Sequence, residues 1–339
     1  MNKILLKHLG NIDQLAGVRL ERVEEGNGAG MRIARVWNAA GLSFSVMPDR
    51  CLDLYDFSFR GINLAFHSKN GLGASAFLPM AGEFFSYWPG GMLATCGLDN
   101  VGGAAQADTM NSFPIHGRIS SRSAEQFCTD TRWEGDDYVL LLSGIMRESR
   151  LYNRSLELRR QIQTSLHATE VTITDTITNL TDAPEPVFLL YHFNFGYPLL
   201  DEAAQYFGPR SETSVFSNGG DTDFRNMRAP VDGAAHQTFC HIPHERGIVT
   251  AGLYQPKLRL AAYLRYDTTS LPYLLEWKCL KSHDYVLAIE PTNCPANNRV
   301  SDLNSGKVFT LGAYESVTYQ LTLGVSEGSA AEALLQNNV

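Results

Sequence analysis

Long apolar runs are missing from this chain of 339 residues. Each is broken by polar residues well short of the ~18 that a membrane-spanning helix needs. The N-terminal run Ile4-Leu5-Leu6 is too short for a signal peptide. Basic residues do not cluster, and a net charge of -8 with a pI near 5.6 argues against a nucleic-acid partner. The six cysteines, Cys51, Cys96, Cys128, Cys240, Cys279 and Cys294, include no Cys-x-x-Cys pair. The expectation is free buried thiols in a reducing cytoplasm. No Gly-Lys-Ser/Thr and no strand-to-helix Gly-x-Gly-x-x-Gly occurs, so a phosphate-binding nucleotide loop is excluded. No repeat of solenoid length is present either.

What remains is an ordinary soluble composition, 44 % apolar and 19 % charged, with length for one large all-β domain or two ordinary ones. Alternation with a two-residue period dominates. It predicts strands through Met31 to Phe66, then over Leu140 and Leu142, over Leu156, Leu158 and Ile162, and over Val171, Ile173 and Ile177. Further strands are predicted at Leu258 to Tyr266, Tyr273 to Leu280, Asp284 to Glu290 and Val317 to Val325, with a short terminal helix after Ser326. Phe77 to Asn111 reads as a long glycine- and aromatic-rich loop, a candidate pocket wall because aromatic faces pack on the C–H faces of sugars. The polar stretch after Asp201, to about residue 250, reads as an excursion loop whose His236, His241 and His244 are solvated rather than zinc ligands.

The most informative stretch is Tyr191 to Asp201, where His192 and Asn194 interrupt an apolar, aromatic run that begins at Val187. On a strand both side chains point to one face. Taken alone, His192 is either a hydrogen-bonded core residue or a catalyst. Glu290 ends another apolar strand, where a carboxylate is costly unless partnered and tends to have a displaced pKa. His116-Gly117-Arg118 places an imidazole and a guanidinium at a loop end. Arg50 and Asp53 form either a structural ion pair, the favoured reading, or a ligand-facing guanidinium.

Together, Asp49-Arg50-Cys51-Leu52-Asp53, Thr95-Cys96-Gly97-Leu98-Asp99-Asn100, Ile115-His116-Gly117-Arg118, Tyr191-His192-Phe193-Asn194-Phe195-Gly196, Glu276-Trp277-Lys278 and Ile289-Glu290-Pro291-Thr292-Asn293 resemble the aldose 1-epimerase (galactose mutarotase-like) superfamily, in its bacterial branch of poorly assigned substrate. The resemblance spans most of the chain. It implies an all-β, galactose mutarotase-like β supersandwich of antiparallel sheets with few short helices, as a single domain over residues 1–339. It implies a carbohydrate epimerase, an isomerase that needs neither cofactor nor metal, with His192 as general acid, Glu290 as general base and His116 as a second, substrate-contacting histidine. Arg118, Asn194, Trp277, Lys278, Arg50 and Asn100 are the implied substrate contacts. Partners would be a small sugar, without nucleic acid or membrane, for a cytoplasmic monomer or homodimer.

Two departures from the family pattern, at Cys96-Gly97-Leu98-Asp99-Asn100 and at Arg118, point to a hydroxyl pattern other than that of galactose or to an anionic substituent. A non-catalytic carbohydrate-binding protein and a metal-dependent sugar isomerase using His116, His192 and Glu290 are the alternatives. The epimerase reading expects His192 and Glu290 to face each other across a gap that admits a pyranose ring.

Overall fold

A computed structural model describes residues 7–74, 84–107, 111–216 and 222–338. The Ile4–Leu6 run and parts of the Phe77–Asn111 stretch lie outside the described residues. The described chain is built from antiparallel sheets with few short helices, as expected. A five-stranded meander comprises Gly17–Arg22, Arg32–Trp37, Leu42–Met47, Asp53–Phe59 and Ile62–Asn63. An eight-stranded sheet runs, edge to edge, through Gln205–Phe207, Ile248–Gln255, Leu260–Asp267, Ser316–Glu327, Glu170–Asn179, Ser155–Ser165, Asp137–Ser149 and Glu125–Glu134. A six-stranded sheet runs through Ser211–Val215, Gln237–Pro243, Tyr273–Lys281, Asp284–Thr292, Phe188–Phe195 and Leu93–Leu98.

Alternation accounts for the sandwich. In Glu170–Asn179 every second residue is buried, Val171, Ile173, Asp175, Ile177 and Asn179, and in Ser155–Ser165 the same phase buries Leu156, Leu158, Arg160, Ile162 and Thr164. The apolar ones among them meet Phe44 and Phe57 of the meander and Phe193, Leu287 and Ile289 of the six-stranded sheet in one core. Phe188–Phe195 differs, because all its residues are buried. Its Tyr191 and Phe193 face that core, and its other face carries His192 and Asn194.

Charged groups occupy the centre of the core. Arg160 donates to Asp175 at 2.8 and 2.6 Å, to Asp53 at 2.9 Å and to the Cys51 carbonyl at 3.1 Å. Asp53 also accepts from the Thr95 amide and hydroxyl, and Asp175 from the Tyr191 hydroxyl at 2.8 Å. The favoured Arg50–Asp53 pair is therefore not formed: the Asp53 carboxylate is turned to Arg160 and Thr95, which take both its oxygens.

Three further expectations need correction. Leu93–Leu98, read as part of a loop, is a fully buried strand paired with Phe188–Phe195, because its residues lack polar alternation only for want of a solvent face. The stretch after Asp201 contains two edge strands, Gln205–Phe207 and Ser211–Val215, although residues 217–221 lie outside the described ones. All six cysteines are free, but Cys128 is exposed on the edge strand Glu125–Glu134.

Removing one member of a buried ion network leaves its partner charged and alone, which costs about 3–5 kcal/mol. Asp175→Ala is expected to lose that much in urea unfolding. Tyr191→Phe, which deletes a single hydrogen bond to a carboxylate, should lose about 1.5–3 kcal/mol. Equal midpoints for Asp175→Ala and the parent protein would refute a structural role for the network.

Candidate functional site

The register that joins Leu190 to Thr292 and Asn194 to Ala288 sets His192 beside Glu290 on one face of the six-stranded sheet. His192 Nε2 lies 3.1 Å from Glu290 Oε1, and both side chains are almost fully buried. The contact is not aligned as a hydrogen bond, and Glu290 Oε1 has no hydrogen-bond partner among the described residues. On its other side, His192 Nδ1 lies 2.5 Å from Asn194 Oδ1. The Asn194 amide nitrogen donates to the carbonyls of Gly91 and His192, both at 2.9 Å, so its oxygen must be the atom that faces the ring. Nδ1 therefore carries the hydrogen of the neutral imidazole, which leaves Nε2, 3.1 Å from Glu290 Oε1, as its basic nitrogen.

Burial pushes the Glu290 carboxyl up to about 8. It also pulls His192 down to about 3, with the neighbouring His116 adding to the effect. Both shifts oppose charge in a desolvated place. At neutral pH the pair holds one proton, on Glu290.

Aromatic rings wall the pair in. Trp88, His116 and Trp277 have ring centroids 5.5, 5.5 and 5.7 Å from that of His192. Phe84 stacks on Trp88 at 5.5 Å and lies 5.1 Å from His116. Trp277 reaches this face because it is paired with Ala288, and its Nε1 donates to His236 Nδ1 at 3.0 Å. His116 is brought in by its loop, which bridges Gly97 to Gly117. At Gly117, φ is +72° and a Cβ would fall 2.3 Å from the Gly97 carbonyl oxygen, so the close approach needs glycine. Burial pulls His116 down to about 4, and its Nδ1, like Trp88 Nε1, is a buried polar atom without a partner among the described residues. Unpartnered polar atoms on Glu290, His116 and Trp88 thus gather within one cluster of aromatic rings, where a buried polar group ordinarily has a partner.

The structure thus brings together His192, Glu290, His116 and Trp277, and adds Phe84 and Trp88 from the aromatic stretch. Arg118 lies at the margin, bound to Asp99 at 2.6 Å and to the Ser112 carbonyl at 2.9 Å. Arg50 donates to the Gly73 carbonyl at 2.8 Å. Asn194 orients His192 with all of its side-chain polar atoms engaged, so it is not free to touch a ligand.

Two expected ligand contacts are not brought to the site. Lys278 follows Trp277 on the same strand and so points to the opposite face, where its Nζ bonds the Asp223 and Asn226 carbonyls. Asn100 is used up structurally: it donates to the carbonyls of Gly103 and Pro114 and accepts from the Arg299 amide. His241, expected in a solvated loop, is a buried strand residue on the Lys278 face, 2.8 Å from Thr213 Oγ1 and 3.3 Å from Glu276 Oε2. Of these three histidines, His236 and His244 are solvent-facing. Among the described residues no group of three His, Cys, Asp or Glu side chains is placed to hold a metal ion. No described helix is long and apolar enough to cross a membrane.

Three comparisons with known proteins bear on the chain. No curated protein matches it. Among solved structures, a protein described as a candidate aldose 1-epimerase from Klebsiella pneumoniae subsp. pneumoniae MGH 78578 superposes with a TM-score of 0.90 at 22 % identity, over 96 % of this chain and 89 % of that one. A galactose mutarotase-like protein from Clostridium acetobutylicum gives 0.61 at 12 % identity, over 93 % and 100 %. Galactose 1-epimerase from Lactobacillus acidophilus NCFM gives 0.58 at 12 %, over 92 % and 99 %. At such identities the likeness fixes the fold, the galactose mutarotase-like sandwich, and leaves activity to the site. The family model described as a domain of unknown function, DUF4432, matches residues 28–325, and the chain belongs to that family.

Proposed function

We propose that this protein is a carbohydrate epimerase of the aldose 1-epimerase type, exchanging the α and β anomers of an aldose. The observation that carries the reading is the buried His192–Glu290 pair, 3.1 Å apart and holding one proton within a cluster of aromatic rings. Anomer exchange moves two protons. One leaves the C1 hydroxyl as another reaches the ring oxygen, the bond from C1 to the ring oxygen breaks, and an open aldehyde forms. Rotation about the C1–C2 bond and closure on the other face reverse both transfers.

The two oxygens share one carbon, so acid and base must sit side by side. The gap wide enough for a pyranose ring, expected from the sequence, is not found: the two groups lie 3.1 Å apart on one sheet face, an arrangement compatible with two oxygens on one carbon. In the resting pair Glu290 supplies the proton to the ring oxygen and His192 Nε2 takes the one from the C1 hydroxyl. This reverses the roles carried over from the family. Ring closure inverts the two again, so the pair ends with the proton where it began and no redox partner is consumed. Asn194 keeps Nε2 the basic nitrogen throughout. Trp88, Trp277 and Phe84 offer faces for the sugar C–H groups, and His116 a polar contact.

Saturation-transfer NMR over a panel of aldoses tests the reading. Acceleration of anomer exchange is expected for at least one sugar, with Glu290→Gln and His192→Ala each lowering kcat/KM by about 10²-fold or more. The rate should fall as pH rises through about 8, where the pair loses its proton. Binding of sugars with no acceleration for any of them would instead establish a non-catalytic carbohydrate-binding protein.

Protonated Glu290 also makes an equilibrium prediction. Its folded value, about 8, is raised above its ordinary 4.5, so the native state binds more protons than the unfolded state between these limits. The associated stability is present in full below 4.5 and is lost as pH rises through about 8. Glu290→Gln removes this loss. In urea titrations the variant should gain on the parent protein by up to roughly 1.4 kcal/mol per pH unit across that window. A difference independent of pH would show that Glu290 is ionised in the folded protein.

A further inference from the structure

Among the described residues, no carboxylate is in contact with the buried guanidinium of Arg50. The residue is 3 % exposed, and the one side-chain hydrogen bond it makes among the described residues is to the Gly73 carbonyl. The other buried arginines are supplied with carboxylates: Arg160 with Asp53 and Asp175, and Arg154 with Asp99 and Glu148. Asp53, whose charge acts on Arg50, is already committed to Arg160 and Thr95. A guanidinium withdrawn from water with most of its N–H donors unmatched is costly, and folds keep such a group where something else completes it.

Its surroundings belong to the cleft. The charges of Arg50 and Arg118 both act on the Tyr87 hydroxyl. The Tyr87 ring lies 6.2 Å from Phe84, the ring that stacks on Trp88 and touches His116. Arg118 itself is only half neutralised, because Asp99 Oδ2 accepts from both Arg118, at 2.6 Å, and Arg154, at 2.8 Å. Glu148, the remaining carboxylate of this group, is taken by Arg154 and by the Leu98 amide. Among the described residues, Arg50, Arg118 and Arg154 thus outnumber Asp99 and Glu148 beside the aromatic cluster, in a chain whose net charge is -8.

The geometry points to an anionic carbohydrate as the ligand of this cleft, its carboxylate or phosphate lying on the Tyr87 side as the missing counter-ion of Arg50. A planar guanidinium fork matches either anion through paired hydrogen bonds. This rests on the reading of the cleft as a sugar site and names the class of sugar.

The test uses matched sets, D-glucose with D-glucuronate and D-glucose 6-phosphate, and D-galactose with D-galacturonate and D-galactose 6-phosphate. Calorimetry measures binding and NMR measures anomer exchange, at fixed ionic strength. At least one anionic member is expected to bind tenfold or more tightly than its neutral parent, and the uronate and phosphate arms show which anion fits. Arg50→Met should reduce that preference at least tenfold without lowering the Tm of the ligand-free protein, because the variant removes an unpaired buried charge.

The inference is overturned if the neutral sugars bind as well as the anionic ones, if no anionic member binds at millimolar concentration, or if Arg50→Met weakens both kinds equally. A ligand-free Tm lowered by several degrees in Arg50→Met would also overturn it, by making the arginine structural. Anionic preference without accelerated exchange would sink the epimerase reading and leave this one standing. Exchange that favours neutral sugars would do the reverse.

Discussion

The bond that the rest of the molecule depends on is the one between Arg160 and its two aspartates. Asp53 comes from the meander, Asp175 and Arg160 from the eight-stranded sheet, and Thr95 and Tyr191, which bond those aspartates, from the six-stranded sheet. A charge in a low-dielectric core tolerates few arrangements, because any displacement that separates it from its partners exposes the full desolvation cost. The three sheets are therefore held in one relative position by a polar contact, where apolar packing alone would allow sliding. Tyr191 precedes His192. The back of the Phe188–Phe195 strand is pinned by this network, and its front carries the imidazole, so the placement of His192 relative to Glu290 inherits the rigidity of the core.

The network was legible, but only as a defect. Leu156, Leu158 and Ile162 alternate with a gap at Arg160, and Val171, Ile173 and Ile177 alternate with a gap at Asp175. The two gaps lie opposite each other in the strand pairing. Opposite charges that break the apolar phase of neighbouring predicted strands are a signal for a buried pair, although the sequence does not say which strands are neighbours. The antiparallel sandwich itself was legible because a two-residue period persists through most strands. Leu93–Leu98 escaped because it is covered on both faces and flanked by glycines, so it carried no alternation to read.

Site residues divided along a simple geometric line. His192, Asn194 and Glu290 could be placed because each is a polar interruption in an apolar strand, and the even spacing of His192 and Asn194 fixed a common face. Trp277 and Lys278 could never both reach the same ligand, since adjacent strand residues point apart; the parity that served for His192 would have removed Lys278. Asn100 and the favoured Arg50–Asp53 pair failed for another reason. Which hydrogen-bond partners a polar side chain finds depends on segments distant in sequence, Arg299 for Asn100 and Arg160 for Asp53, and no local pattern encodes that.

One charge balance connects the proton on Glu290 with the solitary cation at Arg50. Were Glu290 ionised, the cleft would hold a carboxylate able to offset positive charge at its margin, and an anionic ligand would meet repulsion at its floor. Burial instead keeps the proton on the pair, so the pair is neutral as a unit while it still offers one acid and one base. The guanidinium has no such escape, because it does not lose its proton under any ordinary condition. The same desolvation that silences the charge of the His192–Glu290 pair thus strengthens the pull of Arg50 on whatever enters. Under the proposed reading, a neutral pair and a cation with no carboxylate in contact among the described residues would divide two tasks: the first would move protons without net charge, and the second would select the ligand by its charge.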